Sequence, residues 1–135
     1  MEYTIIIRLL LSVLLAGLVG WQREWAHTPA GLRTHMLVAL GATIFTLIAS
    51  ELGISSGIDT TRITAGIVTG IGFLGAGTII QYQDTIRGLS TAASIWTVAA
   101  IGMAVGYGMY TLSIVGAVLT LLVLLLEGVE KKIIK

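Results

Sequence analysis

The sequence predicts an all-α, polytopic membrane helix bundle of five transmembrane helices, with its N-terminus outside and its C-terminus in the cytoplasm. Three observations predict it. Of 135 residues, 56% are hydrophobic and only 11% are charged, where a soluble domain carries about 25% charged residues. Two long stretches, 63–83 and 90–126, contain no Asp, Glu, Lys or Arg. The remaining Lys and Arg fall unevenly between the connectors. Together these imply a single transmembrane domain spanning 1–135, with spans at about 3–21, 34–50, 62–82, 91–105 and 109–126 and a short cytoplasmic tail at 127–135.

The first span holds Arg8 early, and Ala16, Gly17 and Gly20 late, which are small enough for close helix contact. A leader peptide is disfavoured because Glu2 precedes the apolar run and no small-x-small cleavage site follows it. The connector that follows contains Arg23, Glu24, His27 and Pro29, the only proline, and breaks the helix. The second span opens near Thr34, and a Gly/Ser/Asp/Thr loop separates it from the third.

The third span is the Gly-rich one, with Gly66, Gly70, Gly72, Gly75 and Gly77. In water these glycines would oppose a helix at ~1 kcal/mol each. In lipid, unpaired backbone groups cost more, so the helix is expected to persist. On a helical wheel Gly66, Gly70 and Gly77 fall within about 40° of one another, with Gly72 and Gly75 opposite. Small residues on two faces predict close neighbours on both sides, so this span is expected to be the central post of the bundle.

The uncharged stretch 90–126 is too long for one span, since a single helix of that length would measure about 55 Å against a hydrocarbon core of about 30 Å. Gly106-Tyr107-Gly108 is the natural turn. The fourth span is then short and rich in Ala and Gly, and its Trp96 is expected to pack against another helix. Gly31-Leu32-Arg33-Thr34 and Gly88-Leu89-Ser90-Thr91 form a faint echo ahead of the second and fourth spans. A duplicated hairpin and a shared use of Thr at helix starts explain it equally well.

With five spans, the first and third connectors and the tail share a side. That side carries Arg23, Arg33, Arg87, Lys131, Lys132 and Lys135, and the other carries Arg8 and Arg62. This bias places the six in the cytoplasm. The net charge of +1 leaves no basic surface for nucleic acid. The absence of Cys excludes disulfides and thiolate metal sites.

No nucleophile–base–acid trio is recognisable, and the carboxylates all sit near span ends, so no catalytic residue, cofactor or metal site is expected. Ser94 and Thr97 read as interhelical hydrogen-bond donors. The strongest constellation is Arg23, Glu24, Arg33, His35, Asp84 and Arg87, converging at the cytoplasmic ends of the second to fourth spans. It either pairs internally or holds an anionic group such as a lipid phosphate. Outside, Asp59 and Arg62 are three residues apart, where they can meet on one helix face or Asp59 can cap the helix. Arg8 snorkels outward or pairs with Asp59 or Glu51.

Several motifs occur together: Arg33-Thr34-His35-Met36-Leu37-Val38-Ala39-Leu40-Gly41, Asp59-x-x-Arg62, Gly70-Ile-Gly72-Phe73-Leu74-Gly75-Ala76-Gly77, and Arg87-Gly88-Leu89-Ser90-Thr91. Over nearly the whole chain, in order and interval, the sequence resembles the MgtC/SapB family of bacterial inner-membrane proteins. The resemblance implies a role under magnesium limitation and in virulence, regulatory or accessory rather than that of a proven magnesium transporter, and it supplies no biochemical activity. It points to Arg33, His35, Asp59, Arg62, Gly75 and Arg87 as residues to test. Many such proteins continue into an ACT-like cytoplasmic domain. This sequence stops at Lys135, as a short SapB-like member or a chain cut at the domain boundary would.

The functional expectation is a multi-pass inner-membrane module. It acts through membrane lipids, as a homo-oligomer, and with other membrane proteins. The alternative is a small transporter or channel for a cation or small solute. A third reading is a lipid-headgroup binder or enzyme at the Arg33/Arg87 edge.

Overall fold

A computed structural model describes residues 2–57 and 59–133, with side chains described to Glu127. Five helices form: α1 Glu2–Trp25, α2 Leu32–Ser56, α3 Thr61–Ala76, α4 Leu89–Gly106 and α5 Tyr110–Ile133. Four of them, all but α3, are long and apolar enough to cross a membrane. The expected tail begins inside α5, which stays helical to Ile133, and 134–135 lie outside the described residues.

α3 is shorter than the sequence suggests. A helix over 62–82 was expected, but α3 has 16 residues and ends at Ala76, a length of about 24 Å. Beyond it the chain tightens into three-residue turns. Thr78 and Ile79 donate their N–H groups to Gly75 O and Ala76 O, and the Thr78 hydroxyl also donates to Gly75 O, at 2.8 Å. A short antiparallel hairpin follows, Ile80–Tyr82 (β1) against Thr85–Arg87 (β2), in register Ile80 opposite Arg87 and Tyr82 opposite Thr85. Its two-residue loop places Gln83 at φ 52, a positive value suited to such hairpin turns. Gly88 then lies at φ 89, where a Cβ would collide with the Thr78 carbonyl oxygen. The β-branched run Thr-Ile-Ile and this glycine favour a hairpin over another helical turn.

The central post is α4, not α3. α4 packs against each of the other four helices, whereas α3 packs against α2 and α4. Of α4, 56% of the span is buried, against 17–33% for the other three long helices. The reason lies in where small residues meet a neighbour. A Cβ on Gly102 would strike the Ala39 carbonyl, and one on Gly106 would come within 2.7 Å of Thr46. Thr43 Oγ1 donates to Gly102 O at 2.9 Å across the same contact. In lipid, where apolar burial alone gives helices no reason to associate, such backbone approach is the main attraction.

His35 reaches Ser94 and Thr43 reaches Gly102, each 59 residues apart in sequence. α2 and α4 therefore run parallel with constant offset. The Gly-Leu tetrapeptides both precede helices that start at their Leu. Their glycines differ, with φ −108 at Gly31 and 89 at Gly88, so the echo does not extend to the backbone.

Of the five glycines of the expected third span, Gly75 alone meets another helix, with Ala92 O 3.4 Å from its Cβ position. Gly66, Gly70 and Gly72 face open space, and Gly77 meets only the carbonyls of its own last turn. Trp96 is 53% exposed rather than packed inside. The apolar core instead joins Leu15, Ala16 and Val19 of α1 to Ala39 of α2, Val98 and Val105 of α4, and Leu124 of α5.

This packing separates two kinds of glycine. Gly102→Ala overpacks the α2–α4 contact and costs about 1–3 kcal/mol. Gly66→Ala enters open space and changes stability by at most about 1 kcal/mol, in the favourable direction. Denaturation in detergent, followed by circular dichroism, measures both.

Candidate functional site

A polar network lies where α1 turns into α2. Gly20 lets the start of α2 approach α1, since a Cβ there would lie 2.8 Å from Leu32 Cα. Glu24 then reaches over the turn, and its Oε2 accepts the Leu32 N–H at 2.8 Å, satisfying one of the open donors of the first α2 turn. Gly31 leaves room for it, since a Cβ there would displace the Glu24 carboxylate. The Thr28 hydroxyl lies 2.9 Å from Arg23 O and 3.1 Å from Ala30 O, bracing the turn.

Arg23 is buried, with 2% of its side chain exposed, and its Nη1 donates to Glu127 Oε2 on α5 at 2.8 Å. Its Nη2 lies 3.4 Å from Thr91 Oγ1 on α4. A guanidinium inside an apolar bundle is tolerable only when its charge is matched and its donors are occupied. Arg23 Nε and Gln22 Oε1 are buried without a partner among the described residues.

His35 is fully buried one turn into α2. Its Nδ1 lies 2.8 Å from Gly31 O and its Nε2 2.9 Å from Ser94 Oγ. Ser94 Oγ is also 2.8 Å from Thr91 O. Glu127, Arg23, Thr91, Ser94, His35 and Gly31 thus form one chain of polar contacts linking α5, α1, α4 and α2.

The sequence-predicted residues divide sharply. Arg23, Glu24 and His35 belong to this network. Arg33 is exposed on α2, and Asp84 and Arg87 are exposed on the hairpin. None of the three forms a salt bridge among the described residues. The expected pairing of Arg33 or Arg87 with Asp84 or Glu24 is replaced by Arg23 with Glu127. Glu127 was missed as a partner, although its signal was present: it is the first charge after the uncharged stretch, late in a span parallel to α1, so it falls at the same end of the bundle as Arg23.

At the opposite end, Asp59 does not meet Arg62, which is exposed. Asp59 Oδ1 accepts instead from the Thr61 hydroxyl at 2.6 Å and the Thr61 N–H at 3.0 Å, closing the entry to α3. These bonds, the hydroxyl first, hold its carboxyl below the usual carboxylate range. Arg8 pairs with neither Asp59 nor Glu51. Its Nη1 donates to Gly106 O at 2.9 Å and its Nε to the Tyr110 hydroxyl at 3.1 Å, capping the C-terminus of α4.

Two consequences are measurable. Glu127→Leu strands a buried charge, and adding Arg23→Met recovers part of the loss. The coupling energy is about 0.5–3 kcal/mol in a double-mutant cycle of detergent unfolding. The Asp59 bonds favour the ionised carboxyl. Their contribution is therefore complete above the unfolded-state pKa and lost as pH falls through the lower folded-state value. Amide exchange at Thr61 should accordingly lose its protection only in acid below the ordinary carboxylate range, and Asp59→Ala should remove it at neutral pH.

Comparison with known proteins extends these observations. The MgtC family matches residues 9–132. YhiD of Escherichia coli (strain K12), provisionally named a magnesium transporter, is 48% identical over 88% of this chain and 58% of its own length. Protein MgtC of Brucella abortus (strain 2308) is 45% identical over 79% of this chain and 44% of its own. Protein MgtC of Salmonella typhimurium is 41% identical over 93% and 54% respectively. The chain thus spans about half the length of the curated relatives it matches. No solved structure matches it. The motif residues, the helical bundle and the family match agree: this multi-pass membrane protein belongs to the MgtC family.

Proposed function

We propose that this chain is an accessory, non-enzymatic module of the bacterial inner membrane. It supports cells under magnesium limitation and stress, and acts by lateral contact with other membrane helices, a second copy of itself first among them. The observation that carries this reading is an open apolar groove of about 540 Å³ between α2 and α3. Leu37, Gly41 and Phe45 line one wall, and Gly66, Gly70 and Leu74 line the other. Gly41, Gly66 and Gly70 each have no other atom within 4 Å of a Cβ position.

Acyl chains gain nothing from glycine, but a helix backbone does, because the missing side chains admit it to close range. Gly66 and Gly70 also carry the i, i+4 small-residue spacing that lets two copies of one helix cross. Among the described residues no three His, Cys, Asp or Glu side chains gather. The support for helix contact is the small-residue lining of the groove. The magnesium link comes from family membership and from the name given to the Escherichia coli relative.

Energy transfer between donor- and acceptor-labelled copies in lipid vesicles tests the contact. Gly66→Leu with Gly70→Leu should reduce transfer several-fold and weaken growth in low-magnesium medium, with helix content unchanged. Unchanged transfer between the variant copies would overturn the groove as the contact. Magnesium flux through the same vesicles that Asp84→Asn abolishes would favour the transporter alternative instead.

A further inference from the structure

We propose that His35 and Ser94 form a proton-binding site inside the bundle, reached from the cleft between α4 and α5. The geometry fixes the ring's hydrogens. Nδ1 lies 2.8 Å from Gly31 O, and a carbonyl oxygen can only accept, so Nδ1 carries a hydrogen. In the neutral ring Nε2 is then a lone pair, and the Ser94 hydroxyl must donate to it. Yet Ser94 Oγ is equally well placed to donate to Thr91 O, 2.8 Å away. One hydroxyl hydrogen serves two acceptors. A proton on Nε2 resolves the competition: Nε2–H donates to Ser94 Oγ, the hydroxyl turns to Thr91 O, and all three contacts are satisfied together.

A route to the site exists. The cleft between α4 and α5 has a volume of about 590 Å³, and its polar wall residues are Ser90, Ser94, Thr97, Thr120 and Glu127. A hydronium ion in the cleft passes a proton to Ser94 Oγ as the hydroxyl hydrogen passes to Nε2, leaving water behind. No bond between heavy atoms forms or breaks.

The surrounding charges decide what the proton does. α1 supplies Arg23, linked to the site through Thr91, and Glu24. α5 supplies Glu127, paired with Arg23. From α4 come only the Thr91 and Ser94 hydroxyls, and 63–76 of α3 carry no charge. Arg33, on α2 itself, is exposed. A proton on His35 therefore adds a second positive charge to a network whose Arg23 is already paired with Glu127. Occupancy of the site bears on the contact that holds the ends of α1 and α5 together.

The test is nitrogen NMR of the imidazole in lipid nanodiscs, using His27→Gln so that His35 is the single histidine. Between about pH 8 and about pH 4, Nδ1 should stay protonated while Nε2 changes reversibly from unprotonated to protonated, with the helices intact. Removing the balancing negative charge with Glu127→Gln should move that change to lower pH by about 0.5–1 pH unit. An Nε2 that never gains a proton, a bundle that unfolds before it does, or a change unmoved by Glu127→Gln would each overturn the proposal.

Discussion

The bundle depends on how closely the backbones of α2 and α4 approach. Glycine at 102 and 106 lets Ala39 and Thr46 come so near that a methyl group would not fit, and Thr43 adds an interhelical hydrogen bond at the same contact. Two helical turns away, the same spacing brings His35 to Ser94. Stability and chemistry therefore share one contact, because in hydrocarbon the attraction between helices comes from packing and polar bonds rather than from water.

The two arginines of α1 show the complementary rule, that a cation in a membrane bundle must find its partners within the protein. Arg23 has a carboxylate, on α5. Arg8 has none among the described residues, and takes the Gly106 carbonyl at the end of α4 with a tyrosine hydroxyl. Between them they tie both ends of α1 to the α4–α5 hairpin. Among the described residues α3 has no such tie beyond the Thr64–Tyr107 hydroxyl contact at 2.7 Å, which fits its place at the rim. It is along this lightly held helix, in the groove it shares with α2, that the proposed contact with another membrane helix falls.

Much of this was legible in the sequence. Uncharged runs located the helices, and the Gly106-Tyr107-Gly108 turn divided the last of them correctly into α4 and α5. The centre of the bundle was misplaced for a physical reason. Glycines say that something can come close, but not that this chain supplies it. The Ala- and Gly-rich fourth span looked weak as a membrane helix, yet small residues without charge are what a fully surrounded helix carries. The Thr78-Ile79-Ile80 run was read as helix from its hydrophobicity alone, with no weight given to the turn chemistry of Gln83, Asp84 and Gly88 that closes the hairpin. Arg23, Glu24 and His35 were recognised as belonging together. Two of their true partners, Glu127 and Ser94, lie 104 and 59 residues further along the chain, and the packing of the helices brings them in.

The account places α4 at the centre and α3 at the rim of the bundle. Residue-resolved amide hydrogen exchange of the chain in lipid nanodiscs tests that placement most directly. The slowest amides should lie in α4 around Ile95 to Val105, with faster exchange along the α3 segment from Gly66 to Gly72. Slower exchange across the α3 glycines than across Gly102 would contradict the architecture described here.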